Sequence, residues 1–493
     1  MTQTINYMVL PVAAVVLPAI IGFAIFFTGR NKKLREFLSL IAALLSLFFV
    51  ATLYFVLMQG NTDICFPICL GQDFTLCFRA DWLGMFFAGI TSFLWLVSVP
   101  YSLKYMEIKS SDSEGRFFGF FTLSAVSAIG VTMAGNMLTL FIFYELLTVS
   151  TYPLVIHTET PAAVRAAKKY LIYLLIGEIL ILFAVLSTPG FGEPRAFSKI
   201  GVMFPGIGPK MLLFIFFSYI VGFGIKAAIF PFSNWLPTVS VAPTPVTGLL
   251  HAVAVVNVGV YGIMRVILNV FGVELTRSMG VGVVLIFISS ATIIYGSLMA
   301  LSQDNLKKRL AFSTVDYVSY SILGVSLLNP AAFVGALLLL VNHAFLKLSL
   351  FFCAGAIDIQ TEKTEVSELS GVGCKLPFVS TCFAIGSLGL IGVPLTLGFV
   401  GKWYLWRGPL ETNQPGVIGV LIAGAILCAF YLLYVVYVLF FGQSKVSLNC
   451  DGKLSWLICL PIGIGVAGGA IFGVFPKLLL PLINPIISCY FGG

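Results

Sequence analysis

Windows of 18 or more apolar residues recur along the whole chain, separated by short polar stretches. At ~1.5 Å per residue, each can cross a ~30 Å hydrocarbon core as a helix. The pattern predicts fourteen spans, near 5–28, 36–58, 81–101, 116–134, 136–154, 167–188, 210–230, 245–270, 278–300, 309–328, 331–356, 376–399, 416–442 and 455–475, the last continuing as an apolar tail toward 490. The largest intervening loops lie around 59–80, 189–209 and 357–375, too short for a separate catalytic domain. The expected fold class is therefore an all-α polytopic membrane protein of about fourteen transmembrane helices.

Two spans break their own pattern, and each break sits beside a lysine. Lys226 lies in the apolar stretch from Met211 to Pro231, just ahead of FPFSNWLPTVSVAPTPVTGLLHA; Lys402 follows Pro394 and Gly398 in GLIGVPLTLGFVGKWYLW. A charge at the bilayer centre costs roughly 2.5 to 3.5 kcal/mol on insertion scales, so such groups face a protein interior or a wet cavity and mark ion pathways. Paired broken helices in corresponding positions point to inverted repeats. The breaks fall in the seventh and twelfth spans. With spans 4 to 8 and 9 to 13 as repeats, each break is fourth in its unit, and an odd repeat length forces opposite orientation. The expected organisation is an N-terminal group at 1–110, a first repeat at 111–270, a second at 271–442 and a C-terminal span at 443–493. Proline is tolerated in membrane helices, so a break has a purely structural reading as well.

Composition agrees with the pattern: 59% of residues are hydrophobic and 10% charged, against about 25% charged in soluble domains. The net charge of +8 reads as topology. Basic residues gather in the loops after odd-numbered spans, at Arg30, Lys32, Lys33 and Arg35, at Lys104 and Lys109, at Arg165, Lys168 and Lys169, and at Lys307, Lys308 and Arg309. These loops belong in the cytoplasm by the positive-inside rule, which puts both termini outside a prokaryotic inner membrane. Scattered over short loops, the same residues make no nucleic-acid face. The first apolar run lacks a basic leader and a cleavage site, and is expected to be a retained span. Cys65, Cys69 and Cys77 share an outer loop, either as free thiols or with one disulfide among them, and their spacing fits no zinc or ferredoxin pattern.

The titratable residues inside the spans suggest a proton relay. Glu145 lies nine residues into its span, hence ~14 Å deep, with Lys226 as its candidate partner. His343 and Lys347, four apart, share one face of the eleventh span and can exchange a proton through an intervening water. His251 and Asn257 lie in the eighth span. Glu178 is a mid-span carboxylate within range of Lys168, Lys169 or a water file. Glu145, Lys226, His251, His343, Lys347 and Lys402 make the primary file near the midplane; Glu178, Lys169, Asn257 and Asp316 are secondary members. Each intramembrane His or Lys also has a bland reading as a packing or snorkelling residue. The GxGxxG match at Gly463 to Gly468 lies inside an apolar span with no preceding strand, so it reads as helix packing. There is no GxxxxGK[ST] and no HExxH, and no metal or cofactor site is expected in this chain.

The segments KAAIFPFSNWLPTVSVAPTPVTGLLHAVAVVNVGVYGIMR, LSQDNLKKRLAFSTVDYVSYSILG, NHAFLKLSLFFCAGAI and GFVGKWYL resemble the antiporter-like proton-translocating membrane subunits, over roughly residues 80 to 440. That family includes the large pumping subunits of respiratory complex I, subunits A and D of Mrp sodium/proton antiporters, and counterparts in membrane-bound hydrogenases. The resemblance implies two inverted five-helix repeats with broken helices 7 and 12. It also implies partner membrane subunits, with any iron–sulfur clusters or nickel–iron centre on those partners. By motif, Glu145 in FYELL resembles the family glutamate, Lys226 its half-channel lysine, Lys347 in HAFLK its central lysine and Lys402 in GFVGKW its terminal lysine. Two positions depart from the family: Asn257 stands where many members have lysine, and Asp316 opens DYVSY where many have SQIGY.

The expected function is proton translocation, or sodium/proton exchange, within a prokaryotic multisubunit membrane complex that is either redox-driven or an Mrp-type antiporter. A stand-alone carrier of an organic solute would instead show a midplane recognition cavity and act alone. A scaffold for a peripheral enzyme would leave ion gradients untouched when its lysines are neutralised.

Overall fold

The computed structural model describes residues 7–60, 64–70, 74–109, 113–191, 193, 197, 201–202, 204–442 and 454–492, so parts of the loops at 59–80 and 189–209 lie outside the described residues. The chain is a helical membrane body. Its longer helices are α1 Leu10–Phe26, α2 Lys32–Met58, α3 Trp82–Lys109, α4 Glu114–Thr132, α5 Met137–Val155, α6 Pro161–Leu186, α7 Pro209–Lys226, α8 Thr244–Ala252, α9 Val255–Arg265, α10 Val281–Ser302, α11 Leu306–Ser326, α12 Pro330–Thr361, α13 Pro377–Ile391, α14 Leu397–Glu411, α15 Pro415–Phe441, α16 Trp456–Val474 and α17 Leu480–Phe491. Eleven of the described stretches are long and apolar enough to cross a membrane. The other expected spans correspond to α1, to α11 and to the α13/α14 pair.

Short polar residues in the loops start these helices. The side chains of Asn31, Asn136, Thr160, Asn305, Asn329 and Thr396 each accept from a backbone N–H in the first turn of the following helix, satisfying one of the donors every helix leaves unpaired at its N-terminus. Packing sorts the helices by depth. The apolar 18-residue window of Thr244–Val270 and that of Pro330–Thr361 are wholly buried, whereas only 33% of the corresponding window of Pro415–Phe441 is. The polar eighth and eleventh spans thus form the axis, and the more uniformly apolar helices present their side chains to lipid.

The structure departs from the expected spans in four places. The eighth is interrupted, because α8 stops at Ala252 and α9 starts at Val255. No proline or glycine marks this break. The N–H groups of Val253 and Ala254 both turn to the Leu249 carbonyl, and the Asn257 side-chain amide donates to the Ala252 carbonyl at 2.8 Å. The twelfth span runs well past 399: α13 ends before Gly392, which adopts a left-handed φ of 88° that glycine tolerates best, and α14 carries Lys402 on to Glu411. The apolar tail is no extension of the last span, since the chain turns at Phe475 and Pro476 before α17. The loop at 59–80 forms an antiparallel hairpin, β1 Ile64–Cys69 with β2 Thr75–Ala80, paired from Ile64↔Ala80 to Cys69↔Thr75. On it Cys65 and Cys77 are buried and Cys69 is exposed.

Candidate functional site

Lys226 is the last residue of α7, where the helix breaks, and only 1% of it is exposed. Its Nζ donates to the Tyr144 carbonyl at 2.9 Å and to the Thr148 hydroxyl at 2.9 Å, and lies 3.3 Å from the centre of the Tyr144 ring. Its ion-pair partner is Glu178, whose Oε1 is 3.5 Å away and also accepts from the Thr148 hydroxyl. The expected pairing with Glu145 is therefore corrected. Tyr144 and Thr148, four apart, turn one face of α5 toward Lys226, and Glu145, the next residue along, is rotated about 100° from it. Glu145 remains beside the Glu178 carboxyl and within the field of Lys226. Nor does Glu178 reach the basic loop: Lys169 donates instead to the Thr238 hydroxyl at 3.2 Å.

A second group lies on the axis. His251 ends its turn of α8 just before the break and stacks on Phe351, ring centres 4.6 Å apart; His343 stacks on Tyr317 at 5.7 Å. Both imidazoles are fully buried and, among the described residues, make no hydrogen bond through either ring nitrogen, and both lie in the field of Lys347. Lys347 is fully buried on α12 and donates to the Leu310 carbonyl at 3.2 Å and to the Ser313 hydroxyl. The eleventh span thus delivers His343 and Lys347 to one interior face, as their spacing predicts.

The third group surrounds the second broken helix. Lys402, half-buried, donates to the Ile391 carbonyl at 2.8 Å and the Leu390 carbonyl at 3.3 Å, at the C-terminus of α13. Helix C-termini leave carbonyls unpaired and carry negative partial charge, so this is a natural seat for an ammonium. The Tyr320 and Tyr317 rings lie 5.3 and 5.9 Å from its Nζ. Asp316 is fully buried on α11 and accepts from the Tyr431 hydroxyl at 2.9 Å.

The candidate residues are thus brought into three groups. Asp316, in the field of both Lys347 and Lys402, links the last two. No hydrogen bond or ion pair among the described residues joins Lys226 to His251. Asn257 serves the break in the eighth span through its amide, leaving its carbonyl oxygen unpaired.

Sequence reasoning missed one buried charge outright. Arg265, 0% exposed at the end of α9, pairs with Asp81 at 2.7 Å and also donates to Tyr261 and Asn269 at 2.8 and 2.9 Å. Its signal was the one that found Lys226, a cation inside an apolar span.

Residues 134–428 match the family described as NADH:quinone oxidoreductase/Mrp antiporter, TM. The chain is 31% identical over 357 residues to the NADH-quinone oxidoreductase subunit N of Desulforudis audaxviator, covering 70% of this chain and 69% of that protein. It is 26% identical over 481 residues to the subunit M of Rickettsia bellii, covering 93% and 95%. Among solved structures, a chain of the Mrp complex from a Dietzia species superposes with a TM-score of 0.87 at 19% identity, covering 100% of this chain and 98% of the other. At that identity the superposition speaks for the fold.

Proposed function

The chain belongs to the NADH:quinone oxidoreductase/Mrp antiporter transmembrane family, and from that premise we propose that it moves protons through a midplane relay as one subunit of a prokaryotic multisubunit membrane complex. The observation that carries the reading is the set of buried and half-buried titratable groups: Lys226 with Glu178 and Glu145, then His251, His343 and Lys347, then Asp316 and Lys402. Such groups are too costly in a membrane interior to serve as mere packing.

The relay groups are mainly lysines and histidines, which take up and release protons, whereas sodium requires oxygen ligands. Protons are therefore the transported ion on the lysine path, with water bridging the three groups. Each proton moved against ~100 mV needs about 2.3 kcal/mol, well within what making or breaking a buried ion pair supplies. The basic loops face the cytoplasm, both termini lie outside the inner membrane, and the repeats run over 111–270 and 271–442. Electron carriers, where the complex has them, belong to partner subunits.

The test is purification of the chain from its native membrane in mild detergent, with identification of bound subunits and iron, followed by reconstitution. Co-purified membrane subunits and a proton flux that Lys226→Ala abolishes in the assembled complex support the reading. Abundant iron marks a redox-driven pump, and an iron-free set of small hydrophobic subunits marks a cation/proton antiporter. A chain that transports an organic solute by itself would refute it.

A further inference from the structure

Asp316 stands on the second helix of the second five-helix unit, α11, as Glu145 stands on the second helix of the first, α5. The lysine at the break belongs in each case to the fourth element, Lys226 at the end of α7 and Lys402 on α14 just after α13. The third helix contributes the group between them, Glu178 on α6 and Lys347 with His343 on α12. The two units thus place a carboxylate and a lysine in matching positions.

Their states differ. In the first unit the ammonium meets a carboxylate, Lys226 to Glu178 at 3.5 Å. In the second, among the described residues, Asp316 has no lysine within ion-pair distance. Lys347 rests on the Leu310 carbonyl and Ser313, and Lys402 on the carbonyls that end α13. One oxygen of Asp316 accepts from Tyr431, while Oδ1 has no hydrogen-bond partner among the described residues. The Ser297 hydroxyl of α10 faces it without closing a hydrogen bond. The other titratable groups around it are Tyr317 and Tyr320 of α11 and Cys428 and Tyr431 of α15, all neutral in their ordinary states. Among the described residues, Lys347 and Lys402 are the cations in whose field this carboxylate lies. A buried carboxylate with an unmet oxygen is unfavourable, and aspartate is too short to travel, whereas lysine swings on a flexible four-carbon stem.

We propose that Asp316 is the counter-carboxylate of the second unit, pairing in turn with Lys347 and with Lys402, so that the chain carries two carboxylate–lysine switches and this structure holds the first closed and the second open. The proposal rests on the proton-relay reading and adds a residue and an order to it. The proton leaves Lys347, which becomes neutral, and arrives on Lys402, which becomes an ammonium. In its ionised form Asp316 stabilises whichever lysine is charged.

The test uses the assembled complex in proteoliposomes, with proton flux followed across a range of pH. Asp316→Asn keeps the Tyr431 hydrogen bond and removes the charge. Flux at neutral pH is expected to fall about tenfold, the change in protonated fraction that one pK unit gives. The pH profile moves to lower pH, because loss of a negative charge disfavours a nearby ammonium. Asp316→Glu restores most of the flux. Wild-type flux with an unshifted profile in Asp316→Asn overturns the proposal. So does an Asp316→Glu complex that assembles yet is as inactive as Asp316→Asn. Lys226→Ala is the control: if it too pumps normally, the relay itself has failed, whereas an inactive Lys226→Ala beside a fully active Asp316→Asn refutes this proposal alone.

Discussion

Glu178→Gln removes the charge from the carboxylate that pairs with Lys226 and keeps the side chain's shape. At 3.5 Å and an effective dielectric constant of about 20, the attraction lost is about 5 kcal/mol, in line with the ~3–5 kcal/mol usually lost when a buried pair is broken. The ammonium is not left bare, because the Tyr144 carbonyl and Thr148 hydroxyl stay at 2.9 Å and the Tyr144 ring at 3.3 Å. If half of the lost attraction governs how readily the proton moves, about 2.4 kcal/mol is a factor of about fifty in flux. The assay is dye-monitored acidification in inverted vesicles, normalised to assembled complex by immunoblot. The expected result is normal assembly with flux reduced about fiftyfold. Wild-type flux in Glu178→Gln together with loss in Glu145→Gln would refute the assignment of Glu178 and return Glu145 as the partner.

Thr148→Val removes the hydroxyl between Lys226 and Glu178; at about 1.5–3 kcal/mol for hydrogen bonds to charged groups, flux in the same vesicles is expected to fall at least tenfold without loss of assembly. Asn257→Ala uncovers the Ala252 carbonyl at the break in the eighth span, so thermal unfolding of the purified complex in detergent should show a lower Tm, by a destabilisation of about 1–3 kcal/mol. Arg265→Met leaves the half-buried Asp81 carboxylate without its cation, at a cost of up to about 3–5 kcal/mol, and should reduce the amount of folded chain recovered; the double variant with Asp81→Asn should recover part of it. Burial, and then the Arg116 charge, pushes the His157 imidazole down to about 4. Stability from its neutral form is complete above the ordinary histidine value near 6.5 and is lost as pH falls toward 4, so amide exchange around residues 155–160 should rise across that window and not in His157→Gln.

Apolar windows alone placed most of the spans, because in hydrocarbon every backbone group must be paired within its own segment and length then fixes the element. Lys226 and Lys402 announced the broken seventh and twelfth helices, since proline and glycine stand beside both. The break at Val253 and Ala254 left no such mark. It is held by one side-chain amide five residues from the carbonyl it caps, and Asn257 looked in sequence like a missing lysine. The partner of Lys226 was misjudged for a related reason: depth and motif favoured Glu145, but the angular position of Tyr144 and Thr148 on α5 decides which face meets α7. Glu178 comes from a different helix, and its approach is a property of packing that periodicity does not encode. His343 and Lys347 were legible because a four-residue spacing on one helix sets their common face whatever surrounds them.

The central claim is tested most directly by reconstituting the assembled complex with Lys347→Met. This residue is fully buried on α12, and methionine fills its space without a titratable group. The account predicts an intact complex, verified by subunit composition, that no longer builds a proton gradient under conditions where the wild type does. A complex carrying Lys347→Met that acidifies vesicles at the wild-type rate would contradict it.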